Sequence, residues 1–118
     1  MSMHTSEGVD GAFVVDLLKD TVGTNSVNPT VGRGPGESAV ADLIYDRLTS
    51  IGGLEVRRQP VGDGRSNVIA ILKGSGGGRS LMLNGHMDTV GIDGMIVEPF
   101  KPFIENGRLH GRGACDMK

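Results

Sequence analysis

Val68-Ile69-Ala70-Ile71-Leu72, framed by Asn67 and Lys73, is a continuous apolar run of one strand's length. A surface helix would break such a run with polar positions every three or four residues, whereas a strand covered on both faces does not. The run predicts a central strand over 67–73. Just upstream, Leu54, Val56 and Arg58 alternate with Glu55 and Arg57, a second strand that Pro60 and Gly62-Asp63-Gly64 are expected to end. Downstream, Gly74-Ser75-Gly76-Gly77-Gly78 reads as a flexible hairpin connection. Ser80-Leu81-Met82-Leu83-Asn84-Gly85-His86 then reads as the next buried strand, with His86 at its C-terminal end. Asn106-Gly107, between Phe103-Ile104-Glu105 and Arg108-Leu109-His110, is a strong signal for a two-residue hairpin turn.

Before Gly53 the period is helical. Val40, Leu43, Ile44, Leu48 and Ile51 form an apolar stripe, with Glu37 and Asp42 toward the N-terminal end, where the helix dipole favours them, and Gly52-Gly53 as the stop. Val9, Phe13 and Leu17, flanked by Val14 and Leu18, predict an earlier amphipathic helix from Glu7 to Thr21, stopped by Gly23. Between the helices, residues 24–36 hold two prolines and three glycines and are expected to be loop throughout. The fold class this order predicts is α/β, with helices packed on a mixed β-sheet. No later helix covers the sheet's other face, so the layer reads as incomplete.

The 118 residues allow one domain at most. With hydrophobic residues at 37%, the chain is expected to fold. Its 20 glycines, about 17% of the chain against a usual level near 7%, require many tight turns or close backbone approaches. A formal net charge of -2 and an aromatic content of 3% argue against nucleic acid as a partner. No apolar stretch reaches the roughly 18 residues of a membrane span, and the N-terminal residues lack the pattern of a signal peptide, so no membrane partner is expected. Cys115 is the single cysteine, which rules out an internal disulfide and fits a reducing, cytoplasmic setting.

Gly34-Pro35-Gly36-Glu37-Ser38-Ala39 matches a dinucleotide fingerprint in form, but no strand feeds it, so it reads as a helix-entry loop. Gly74 to Gly78 lacks the Lys-Ser/Thr of a nucleotide-binding loop. His86-Met87-Asp88 is the sharper constellation. An imidazole at a strand end with a carboxylate two residues on is a common way to hold a zinc-binding His, one ring nitrogen on the metal and the other donating to the carboxylate. Two residues fall short of the three or four ligands of a zinc site. Asp116 lies beyond a hairpin that could return the chain to the same strand ends, and a carboxylate there could bridge two metals; a solvated Asp is the plain alternative.

Residues 81–90, Leu-Met-Leu-Asn-Gly-His-Met-Asp-Thr-Val, and 107–118, Gly-Arg-Leu-His-Gly-Arg-Gly-Ala-Cys-Asp-Met-Lys, resemble the metal-binding start of the di-zinc amidohydrolase and peptidase family. That family includes acetylornithine deacetylase, succinyl-diaminopimelate desuccinylase, aminoacylase and glutamate carboxypeptidase. Ser26-Val27-Asn28-Pro29 is also similar to it. The resemblance implies that His86 is a ligand of one metal, that Asp88 orients it as part of the catalytic machinery, and that Asp116 bridges both metals. His110 and Cys115 fall where the family varies. The resemblance further implies a cis peptide at Asp116–Met117.

By the same resemblance the cofactors are two divalent metal ions, zinc first and cobalt or manganese as alternatives, and the reaction is hydrolysis of an amide bond in an N-acyl amino acid or small peptide. Residues 1–118 would be the N-terminal portion of a metallohydrolase catalytic domain, without its general base, its remaining ligands or the lid domain through which such enzymes form homodimers. The fragment alone is expected to be inactive. A non-catalytic or degenerate binding fragment of the same fold and a di-metal aminopeptidase are the alternative readings.

Overall fold

In the computed structural model residues 8–118 are described, so a helix start at Glu7 lies outside them. Helix α1 runs Gly11–Gly23. Asp10 caps it, its Oδ1 accepting from the amides of Ala12 at 3.0 Å and Phe13 at 3.1 Å, so two of the orphan donors of the first turn are satisfied. Residues 24–36 are not loop throughout: α2, a single turn over Pro29–Gly32, interrupts them. The Asn28 side chain accepts from the amides of Thr30 and Val31, and Pro29 stands at the first helical position, where its missing N–H costs nothing. Helix α3 spans Ser38–Ile51, as its stripe predicts, and ends at Gly52 and Gly53, whose φ of 75° and 71° are unfavourable for other residues.

Strands β1 (Glu55–Gly62) and β2 (Arg65–Ile71) form an antiparallel hairpin. Pro60 does not end β1, which runs on to Gly62 and stops there, as the Gly62-Asp63-Gly64 signal predicts. Pro60 sits on a strand with one neighbour, where a missing N–H can face solvent, and the register shifts between Pro60 and Gly62. Asp63 and Gly64, with φ of 50° and 73°, make the turn. β3 (Phe103–Glu105) and β4 (Arg108–His110) pair around Asn106-Gly107 as expected.

Helices and strands are both present, and α3 lies against the β1–β2 hairpin. The sheet itself differs from expectation: the described residues hold two separate two-stranded antiparallel sheets, not one mixed sheet. β2 has β1 as its one partner and is not buried on both faces; Leu72, beyond its end, is exposed. Residues 80–86 are not a strand, and residues 74–78 therefore join no hairpin. Leu81, Met82 and Leu83 are 84%, 85% and 88% exposed. Their pattern is that of a buried strand, but a strand needs a hydrogen-bonded neighbour, and no described segment pairs with them.

The buried apolar side chains among the described residues are Val22, Val27, Val40 and Ala41. A radius of gyration of 15.9 Å against about 13.5 Å for a compact chain of this length agrees with so small a core. No described helix is long and apolar enough to cross a membrane.

The tightest approach of backbone to backbone involves Gly34. A Cβ there would land on the carbonyl oxygen and Cβ of Val27. Gly34→Ala is expected to destabilise the chain by about 1–3 kcal/mol, the usual cost of overpacking. Gly78→Ala, in open space, should change stability by less than about 0.5 kcal/mol. Urea unfolding of both variants checks the contrast.

Candidate metal centre

Residues 26–28 and 87–89 are joined by a parallel bridge between Val27 and Thr89. The Thr89 amide donates to the Ser26 carbonyl at 3.0 Å and the Asn28 amide to the Thr89 carbonyl at 2.8 Å. The Ser26 hydroxyl, fully buried, donates to the Met87 carbonyl at 2.7 Å. This tie carries the α1–α2 connection to the segment holding His86 and Asp88. The β3–β4 hairpin returns the chain from the other side, and the turns of residues 111–117 bring Asp116 to the same place.

The three residues expected to form the site are brought together. His86 Nδ1 lies 3.1 Å from Asp88 Oδ1 and 3.0 Å from the Asp88 carbonyl, while Nε2 faces Asp116 Oδ1 at 3.0 Å. Asp88 is itself anchored, since Asn28 Nδ2 donates to its Oδ2 at 2.8 Å. That hydrogen bond is the main reason its carboxyl is held below the ordinary carboxylate range, and the neighbouring imidazole acts in the same direction. Asp88 is therefore an oriented carboxylate, ready to accept from Nδ1–H and fix the ring.

A neutral imidazole has one proton and can satisfy one of these two acceptors. With Nδ1–H given to Asp88, Nε2 presents a lone pair toward Asp116, and the pair calls for a second proton or a cation between them. The hydrogen bond to Asp116 raises the His86 pKa above its ordinary value, against the opposing effect of burial. Two donors bound tetrahedrally to one zinc ion at about 2.0–2.1 Å stand roughly 3.3 Å apart. The 3.0 Å between Nε2 and Oδ1 is close to that spacing, and the N/O donor pair suits a divalent cation. Among the described residues no group of three His, Cys, Asp or Glu side chains converges closely enough to hold a metal ion by itself.

The site opens on a cleft of about 440 Å³, lined by Asn28, Val31, Val97 and Arg112 besides the site residues. His110 borders it and stacks on Phe103, ring centroids 4.8 Å apart. Cys115 is an exposed free thiol. The peptide bond after Asp116 is not cis, contrary to expectation; no cis bond occurs among the described residues. The helix-entry loop at Gly34–Glu37 binds inward: the Gly36 amide donates to Val27, and Glu37 is buried against Arg65 at 2.6 Å.

Two participants escape the sequence reading. Asn28 has a local signal, Asn before Pro at a helix start, but nothing local indicates its bond to Asp88 across 60 residues. Lys118 carries no signal in its own neighbourhood. Its Nζ donates to Ser26 Oγ and to the Met87 carbonyl, and burial pushes its pKa down to about 8.

The site is thus an imidazole oriented by one carboxylate and facing a second. Residues 82–118 match the sequence model of Peptidase family M20/M25/M40, the family that the paired motifs resemble. A succinyl-diaminopimelate desuccinylase of Polynucleobacter necessarius is 40% identical over 91 residues, covering 71% of this chain and 24% of that protein. One from Leptothrix cholodnii is 34% identical over 110 residues, 88% of this chain and 27% of its own length. An acetylornithine deacetylase of Proteus mirabilis is 32% identical over 108 residues, with the same coverage of 88% and 27%. The chain thus spans about a quarter of the length of the curated relatives it matches. At family level the match is to amide-cleaving hydrolases. No solved structure matches the chain.

In the metal-free chain the His86 ring is expected to titrate above 6.5, and Asp116→Asn should lower that value. Because the folded pKa is the raised one, the contribution to stability is full below the unfolded value and is lost as pH rises through the folded value. Ring ¹⁵N shifts followed by NMR through the titration provide the check.

Proposed function

We propose that this chain is the N-terminal portion of a metallohydrolase catalytic domain that cleaves the amide bond of an N-acyl amino acid or small peptide, in the manner of a deacetylase, desuccinylase or carboxypeptidase. The observation that carries the reading is the line Asn28–Asp88–His86–Asp116, in which each side chain orients the next and the last two present nitrogen and oxygen donors to one point. The names of the relatives support the substrate class.

Divalent cations in such a site, zinc first and cobalt or manganese as alternatives, polarise a carbonyl and make water nucleophilic near neutral pH. His86 contributes the Nε2 lone pair, Asp88 holds the proton on Nδ1 and fixes the ring plane, and Asp116 contributes the carboxylate that faces both the ring and the cleft. The family's bridging role is assigned to Asp116. Its exposure, 87% for the side chain, leaves room for ligation from more than one side. Asp88 is a positioning group. The remaining ligands, the general base and the lid through which a homodimer would form are assigned to parts of a longer protein beyond these 118 residues. Support comes from the quarter-length coverage of the relatives and from the bare Leu81-Met82-Leu83 strip. A cytoplasmic setting suits the single free cysteine.

The 118-residue chain by itself is expected to take up Co²⁺ weakly, to lose that uptake in His86→Ala and in Asp116→Ala, and to hydrolyse no N-acyl amino acid. Visible absorption during Co²⁺ titration and an amine-release assay measure the two. Uptake indifferent to both substitutions would favour a degenerate binding fragment, and robust metal-dependent turnover by the verified chain would overturn its assignment as an incomplete site.

A further inference from the structure

Asp116 has a single hydrogen-bond partner among the described residues, His86, and its carboxylate is otherwise open to solvent. Its position is therefore set by the backbone that carries it. The next two residues are both seated. Met117 lies against Gly85, where an added Cβ would stand 2.9 Å from the Met117 Cε. The Lys118 stem passes over Gly113, where a Cβ would stand 3.0 Å from Cγ and 3.1 Å from Cε.

Beyond that stem, the ammonium donates to the hydroxyl of Ser26 and, at 3.0 Å, to the carbonyl of Met87. Ser26 is fully buried, and its own proton goes to the same Met87 carbonyl at 2.7 Å. The hydroxyl thus gives one hydrogen bond and receives another. The three groups close a triangle of hydrogen bonds at the carbonyl of Met87, the residue between His86 and Asp88. A lysine has three donors and no acceptor, so its ammonium can donate to both oxygens at once and lock the Ser26–Met87 hydrogen bond in place.

We propose that Lys118 is a positioning residue: its clamp on Ser26 and Met87 fixes the turn of residues 113–118 so that Asp116 faces His86. The consequence for metal affinity rests on the metal-site reading above; the geometric role does not. Lys118→Met keeps the length of the stem and removes the donors. Ser26→Ala removes the hydroxyl and leaves the stem.

The test uses the 118-residue chain, with Co²⁺ as probe, and two further readouts: the nuclear Overhauser contact between the Met117 methyl and Gly85 in the metal-free protein, and the thermal unfolding midpoint. Lys118→Met is expected to weaken Co²⁺ binding by about tenfold or more, the usual effect of losing a group that supports ligands. It should also erase the Met117–Gly85 contact. Ser26→Ala should act in the same direction, and the double variant should be no worse than the poorer single one, because both remove one coupled unit. Lys118→Arg, which keeps a charged donor, is expected to restore part of the affinity.

Wild-type affinity and an intact Met117–Gly85 contact in Lys118→Met would overturn the proposal. So would strictly additive losses in the double variant, or a lowered unfolding midpoint with affinity and contact unchanged. If the wild-type chain takes up no Co²⁺, the metal-site reading fails, while the contact and its coupling to Ser26 still decide the clamp. If Lys118→Met does not fold, Ser26→Ala and Lys118→Arg decide it on the same contact.

Discussion

The pairing of residues 26–28 with 87–89 is the constraint on which the site depends. Three hydrogen bonds, two between backbones and one from a buried serine, join segments about 60 residues apart. Closing so long a loop has an entropic cost that grows slowly with length, so a few good bonds sheltered from water can hold it. Ser26, Val27 and Thr89 are all buried. Without this pairing Asn28 would not reach Asp88, and Asp88 would not be anchored while it orients His86.

The glycine content becomes intelligible around the same pairing. Gly32 and Gly34 pass so close to Val27 that a side chain at either would collide with it, and Gly32 also packs on the backbone of Gly91. On the opposite side Gly85 and Gly113 leave space for Met117 and Lys118. These four positions are defined by close approach, and they surround the junction of three chain segments. A small apolar core of valines does not hold such a junction by itself, so polar bonds and steric fit at glycine contribute what burial does not.

The site edge is polar and largely open, while Leu81, Met82 and Leu83 stand bare next to it. An apolar strip this exposed is unusual on a soluble surface when its residues are contiguous. It lies on the segment that ends in His86, so whatever covers the strip would also restrict the motion of the imidazole.

Local patterns determined a good deal. The stripe of α3, the Asn106-Gly107 hairpin and the placement of His86, Asp88 and Asp116 in one site were all legible, because each depends on neighbours in sequence or on a motif that carries its own chemistry. The turn at Pro29–Gly32 was hidden by the prolines and glycines of residues 24–36, although Asn28 and Pro29 are a capping pair. Residues 67–73 and 80–86 read as buried strands, yet burial and pairing belong to partners, and an apolar run holds no information about whether one lies alongside. Sequence alone singled out His86, Asp88 and Asp116 as a group. Only the tertiary structure decided what holds them together, since the bonds of Asn28 to Asp88 and of Lys118 to Ser26 and Met87 join residues that no local period or spacing connects.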